Sequence, residues 1–316
     1  MLVGTPAGGG TDAAGRLVAP FLTKYLPGNP TVIVRNMPGA EGLVALNHFV
    51  QQPERNGLTV VAGDAPSIDP VRYRMPQSYY DPGKFEYFGG IGRGGSVVII
   101  NAASEGRLFD KMARPVTMGI ASAIPRSGQL MAAWGIGFLG WNAKWIVGYR
   151  ATNALLLALQ QGELDMTATS NLFLLGDLVE SGKFKVLIQS GGIQNGKAVP
   201  RPELPTVPLL TDQLAGKFND PIAAKAYNYW RGVLMVDKFL ALPPETPKPL
   251  VEAYRKAYRA MAADLEFNER GRKMSEVFEP MFDGDVTSLV KNVVDTPQEA
   301  IEYLNNILRK QGISGL

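Results

Sequence analysis

The sequence predicts an α/β protein built as two units, each a mainly parallel sheet flanked by helices. Three observations carry this. The chain has 316 residues, about twice a common domain length. Apolar residues make up 46% and charged residues 19%, which is a globular composition with enough material for real cores. Strand-like and helix-like segments alternate at both ends of a central region, the order that generates parallel sheets with crossover helices.

The first run opens on Met1 to Val3, read as a strand stub. Thr5-Pro6-Ala7-Gly8-Gly9-Gly10-Thr11-Asp12 is the loop after it. Thr11 or Asp12 is expected to cap the following helix. Leu17, Val18, Phe21, Leu22 and Tyr25 give that helix one apolar face, and Pro27-Gly28 ends it. Thr31-Val32-Ile33-Val34 reads as a strand, Asn36-Met37-Pro38-Gly39-Ala40 as a turn, and a short helix runs on through Phe49. Leu58-Thr59-Val60-Val61-Ala62 reads as the next strand. Residues 64–95 read as irregular. Gly90-Ile91-Gly92-Arg93-Gly94-Gly95 spells the dinucleotide-binding string but precedes a strand, not a helix, so it reads as a linker.

Val97-Val98-Ile99-Ile100 is a β-branched strand. The second run starts at Val116-Thr117-Met118-Gly119-Ile120, a strand, followed by a loop and a helix through Leu130, Met131 and Trp134. Trp145-Ile146-Val147 is a strand. Thr152 is expected to cap a helix carrying Leu155, Leu156 and Leu159. Strands follow from Asp165 and at Lys185-Val186-Leu187-Ile188. Residues 195–229 read as irregular, and Gly232-Val233-Leu234-Met235-Val236 as a late strand. A long helix carries Leu250, Val251, Tyr254, Ala257, Tyr258, Met261 and Leu265. Thr296-Pro297-Gln298-Glu299 has the form of a capping box opening the last helix.

These segments predict a discontinuous first domain, residues 1–98 with 234–316, and a second domain over 99–233. Hinge strands are expected near 97–101 and 232–236. Two lobes joined by two such strands describe a clamshell around a cleft.

Composition narrows the chemistry. Cysteine is absent and His48 is the single histidine. This excludes disulfides, thiolate sites and paired-histidine metal motifs, and no metal or cofactor is expected. Lys+Arg is 32 against Asp+Glu 29, a net charge of +3. No basic run with interleaved aromatics points to nucleic acid, and no stretch reaches the ~20 apolar residues of a membrane span.

What remains suits binding. Ala7, Gly8, Gly9, Gly10, Thr11 and Asp12 form a glycine-rich loop at a helix N-terminus, where free N–H groups and the helix dipole favour an anion. No Gly-Lys-Ser/Thr follows, so it is not a P-loop. Ser122, Ile124, Pro125, Arg126 and Ser127 form a second strand-to-helix loop. Ser122 and Ser127 offer hydroxyls, Ser127 is expected to be an N-cap, and Arg126 offers a guanidinium suited to a carboxylate. Thr169 and Ser170 belong to a polar cluster at a strand's carboxyl end, where α/β sheets collect ligands. No Ser-His-Asp arrangement can be assembled.

The sequence resembles the substrate-binding proteins of tripartite tricarboxylate transporters, also called Bug proteins, over nearly its whole length. Pro6 to Asp12 matches that family's first-loop signature. Asn36-Met37-Pro38-Gly39-Ala40-Glu41-Gly42 resembles its Asn-Arg-Pro-Gly-Ala-Gly-Gly turn, departing at Met37 and Glu41. Pro53 to Thr59 is similar to its Pro-Asp-Gly-Tyr-Thr segment. Gly148-Tyr149-Arg150 with Ala154-Leu155, Gly162 and Asp165 follows its Pro-Tyr-Lys segment, and Leu204-Pro205-Thr206-Val207-Pro208 matches its Leu-Pro-Asp-Val-Pro.

The resemblance implies a type II, Venus-flytrap periplasmic fold without catalysis. It implies capture of a small organic carboxylate, a dicarboxylate or aromatic carboxylate among them, and its delivery to a membrane permease. A monomer is expected. Ala7 to Asp12 and Ser122 to Ser127 would hold the ligand through N–H groups, hydroxyls and waters. The family's second loop is rich in glycine and serine and ends in His-Leu. Here Ile124, Pro125 and Arg126 intervene and Gln129-Leu130 ends it, which implies an atypical ligand or a direct Arg126 contact. Family members begin with a signal peptide and a full first strand, so a trimmed or misplaced start is expected. A ligand sensor for a membrane receptor, and an enzyme using the glycine loop as an anion site, are the other readings.

Overall fold

The structure is a computed structural model. It describes the chain except residues 53, 93–94, 121–123, 126, 150–151, 171–178, 195–196, 275–277 and 315–316. Two compact units result: Met1–Arg93 with Gly232–Thr296, and Gly94–Arg231 with Pro297–Leu316.

In chain order, the first unit starts with β1 (Leu2–Val3), α1 (Gly10–Tyr25), β2 (Arg35–Asn36), α2 (Leu43–Gln51), β3 (Val61–Asp64), α3 (Pro70–Tyr73) and β4 (Glu86–Gly92). The second unit follows with β5 (Val97–Asn101), α4 (Glu105–Phe109), β6 (Val116–Gly119), α5 (Leu130–Phe138), β7 (Ala143–Ile146), α6 (Thr152–Gln160) and β8 (Met166–Thr169). It continues with β9 (Phe184–Gln189), β10 (Gly192–Gln194), β11 (Lys197–Val199), α7 (Leu210–Gln213) and α8 (Pro221–Met235), whose residues from Gly232 group with the first unit. Back in the first unit come β12 (Lys238–Leu242), α9 (Lys248–Ala262), α10 (Leu265–Met274), β13 (Glu279–Phe282) and α11 (Asp283–Val294), and α12 (Gln298–Lys310) closes the second.

The α/β class is the one expected, with both large sheets mixed and β10 and β11 a separate antiparallel pair. In the first unit the strand order is β13-β4-β12-β3-β1-β2. β1 runs parallel to β2 and β3, while β12 and β13 enter antiparallel. In the second unit the order is β7-β6-β8-β5-β9, with β6 parallel to β7 and β8, and β5 antiparallel to β8 and β9.

The first core forms where the apolar face of α1 meets α9. Leu17, Val18, Phe21 and Leu22 pack with Tyr258, Met261 and Phe267, and Phe21 and Phe267 meet edge to face, their ring centroids 5.2 Å apart. The second unit packs Val97 and Ile99 of β5 on Leu155 and Leu159 of α6. Beside them Trp134 is fully buried and touches the rings of Phe138, Phe218, Tyr227 and Trp230. Asp165 ties strand ends together, accepting from the Thr117 N–H at 2.9 Å and the Ser104 hydroxyl at 2.6 Å.

Several expected elements shift. Residues 31–34 form no strand, with Ile33 73% exposed; the ladder forms at Arg35–Asn36. The third strand starts at Val61 rather than Leu58, which lies exposed. Residues 90–92 of the expected linker over 90–95 end β4, a buried strand, and 93–94 lie outside the described residues. The β4 glycines are packing devices: a Cβ on Gly89 would sit 2.5 Å from the Tyr258 ring, and one on Gly90 2.7 Å from the Lys238 carbonyl. Residues 232–235 end α8 and are not a strand, and the strand expected there is β12, a few residues later. The segment 97–101 lies inside the second unit's sheet as β5.

The last helix, expected with the first unit, groups with the second. Gln311 just after it donates to the Ala133 carbonyl at 2.9 Å and accepts from Trp145 Nε1 at 3.1 Å. The capping box does not form. Pro297 is the N-cap without a side-chain bond, and the Thr296 hydroxyl donates backwards to the Asn292 carbonyl. No helix among the described residues is long and apolar enough to cross a membrane.

Candidate functional site

The first loop joins β1 to α1. Gly9, rather than Thr11 or Asp12, is the N-cap, and it offers no side chain to the helix. Ala13 N–H reaches the Gly9 carbonyl at 2.9 Å. The N–H groups of Gly10, Thr11 and Asp12 precede the first intrahelical bond and have no acceptor among the described residues. Ala7, Gly8 and Gly10 are exposed and Gly9 is half-buried. A 16-residue helix therefore presents an accessible, partly positive end.

Asp12 shapes this end from beneath. Its carboxylate is buried and accepts from Gly8 N–H at 2.8 Å, Asn36 Nδ2 at 2.9 Å and Arg16 Nε at 3.0 Å. Asn36 Nδ2 also donates to the Thr5 carbonyl at 3.0 Å. Thus Asn36, from the second sequence motif, staples both ends of the first. The Arg16 hydrogen bond, followed by that from Gly8, lowers the Asp12 pKa to about 2. The pair with Arg16 offsets a negative charge that would otherwise oppose an anion at the helix end. Thr11 also turns inward, its hydroxyl donating to Asp64 Oδ2 at 3.3 Å. Of the six residues predicted here, Ala7 to Gly10 face solvent at least in part, while Thr11 and Asp12 are buried.

In the second unit, Ser122 and Arg126 lie outside the described residues. Ile124 is half-buried and Pro125 buried. Ser127 is exposed and holds a positive φ of 49°. It opens a 3₁₀ turn to Gln129 instead of capping α5, whose N-cap is Gln129, and its carbonyl accepts from Trp230 Nε1 at 2.9 Å. Thr169 is buried at the end of β8 and Ser170 is half-buried just beyond.

The register draws these segments to one edge of the second sheet. Val97 at the start of β5 faces both Thr169 and Gln189 at the ends of β8 and β9. A Cβ on Gly128 would lie 2.3 Å from Ser96, so the Ser127 turn sits against that edge. A groove of about 560 Å³ elsewhere on this unit, lined by Phe109, Phe138, Trp141 and Lys217 among others, contains none of the predicted residues.

Three residues that sequence reasoning passed over matter here: Asn36, Arg16 and Arg201. Asn36 stood in a quoted motif but was read as turn chemistry. Arg16, four residues after Asp12, is spaced for a helical ion pair. Arg201 read as a loop residue, and it is buried at the edge just described.

This two-unit mixed α/β fold is shared with solved periplasmic solute-binding proteins. The fold is shared with a TctC solute-binding protein from Polaromonas: 18% identity, TM-score 0.72, 98% of this chain and 96% of that one. It is shared with the periplasmic binding protein BugD, at 21% identity, TM-score 0.55 and 99% and 97% coverage. Rpa4515 from R. palustris, solved with adipate, matches at 20% identity and TM-score 0.59 over 100% and 97% of the chains. No family model matches the chain, and no curated protein matches its sequence.

Proposed function

We propose that this chain is a periplasmic solute-binding protein that captures a small organic carboxylate and hands it to the permease of a tripartite tricarboxylate-type transporter. The observation that carries this reading is the exposed N-terminus of α1, with its loop held by the Asp12–Asn36 pair. Three successive N–H groups there lack an acceptor among the described residues and suit an anion. Full-length likeness to a fold solved with a dicarboxylate supports the same class of ligand. Binding, rather than catalysis, is the role we assign to the loop. Ala7 to Gly10 would approach the carboxylate directly, with Thr11 and Asp12 contributing backbone N–H groups. Ser122 to Ser127, Thr169 and Ser170 are the proposed contacts from the second unit.

Gly10→Pro tests the loop. Proline is tolerated at the first helical position, and Gly9 before it, at ψ 163°, already has the extended backbone that proline requires. The variant should fold normally and lose one N–H donor. Calorimetry is run with the best binder among succinate, malate, adipate and benzoate. Affinity is expected to fall about 10-fold or more, as for a hydrogen bond to a charged group. Unchanged affinity would remove α1 from the site.

A further inference from the structure

Arg201 is 1% exposed at its side chain, so its guanidinium has been taken almost wholly from water. Buried charges are ordinarily paired and fully hydrogen-bonded. Arg201 is neither. Nη1 donates to the Ser170 carbonyl at 3.0 Å and, at 3.4 Å, to that of Gly95. Nε meets Glu203 Oε2 only at 3.5 Å, and that carboxylate is 35% exposed. Nη2 has no hydrogen-bond partner among the described residues.

The position is specific. Gln189 fixes the Arg201 backbone, accepting its N–H at 2.8 Å, while Gln189 Nε2 holds the carbonyls of Leu204 and Val207, each at 2.8 Å. The Leu204 to Pro208 motif is thereby fastened beside the arginine. The two carbonyls that Nη1 grips stand just before β5 and just after β8. Arg201 therefore lies under the edge where β8 and β9 end, the side of an α/β sheet at which ligands collect. Ser96 and Ser190 complete the surround, bonded to each other through Ser96 N–H and the Ser190 hydroxyl at 2.8 Å.

We propose that Arg201 forms a carboxylate subsite within the second unit, its free Nη2 donating to one oxygen of the ligand's acid group. This rests on the carboxylate reading above and deepens it. Because Nη1 is committed to backbone carbonyls, the contact is through a single nitrogen. An acid group would satisfy the unmatched donor and neutralise the buried charge together. A neutral ligand of the same shape would do neither, so the arginine selects for an acid.

The test is calorimetry with succinate, malate, adipate and benzoate on the wild-type protein, Arg201→Met and Arg201→Lys, each checked by circular dichroism and melting. The best wild-type ligand should bind Arg201→Met at least 10-fold more weakly, with Arg201→Lys between them. Should Arg201→Met fail to fold, arginine side-chain NMR of the wild type reads the same contact, and the Arg201 Nη2 resonance should move on ligand addition. A ligand that binds wild type and Arg201→Met within twofold, or that binds without moving that resonance, overturns the subsite and leaves the function standing. If no member of the panel binds the wild type, the carboxylate reading falls and the subsite with it.

Discussion

Gly95→Ala is expected to destabilise the protein by about 3–5 kcal/mol, combining left-handed backbone strain with steric overlap. Gly95 holds φ at 81°, and an added Cβ would lie 2.1 Å from the Gly191 carbonyl oxygen and 2.6 Å from Ser190 Oγ. Neither neighbour is free to retreat. Ser190 exchanges backbone and hydroxyl bonds with Ser96, both at 2.8 Å. Gly191 is itself at positive φ with the Val199 carbonyl against it. Gly140 is the reference, since its φ is 71° with nothing within 4 Å; alanine there should cost about 1–2 kcal/mol. Urea unfolding of the two variants separates strain from overlap, and equal losses would contradict the close packing at this edge.

Asp12→Ala is expected to cost about 2–4 kcal/mol, because it leaves Gly8 N–H, Asn36 Nδ2 and Arg16 Nε without their common acceptor. The loss should depend on pH with a definite sign. The folded-state pKa is lowered to about 2, against about 3.9 in an unfolded chain. The ionised carboxylate therefore stabilises the fold above about pH 4, and that contribution disappears as pH falls through the folded value. Stability curves for wild type and Asp12→Ala should lie apart at pH 5–7 and draw together towards pH 2. A gap that stays constant with pH would mean that the side chain matters for packing alone.

The sequence made the helices of strong period and the β-branched strands legible. α1, α6 and α9 follow their apolar stripes, and β5, β6, β8 and β9 their runs. The failures have physical causes. A short apolar run such as 232–236 serves strand and helix equally, and here it ends α8. The glycines of β4 imitate a linker because nothing local announces that Tyr258 will need the space. Antiparallel entry of β12 and β13 depends on pairing between distant segments, which no window reports.

The site was legible in the same uneven way. The glycine loop and its helix end were visible because glycine spacing and helix polarity are local. Asp12 was read as a cap or ligand contact, whereas its side chain supports the loop, since Asn36 and Gly8 meet it only in the fold. Arg201 gave no signal at all. A loop arginine reads as solvated until the strand ends close over it.

The central claim is that this chain binds a small organic carboxylate, and the most direct test is titration of the wild-type protein with succinate, malate, adipate and benzoate by calorimetry, paired with melting at saturating ligand. Saturable binding of at least one acid is predicted. A ligand at about 100 times its Kd should stabilise the fold by about 2.7 kcal/mol and raise Tm accordingly. No heat of binding and no shift in Tm with any of the four would contradict it.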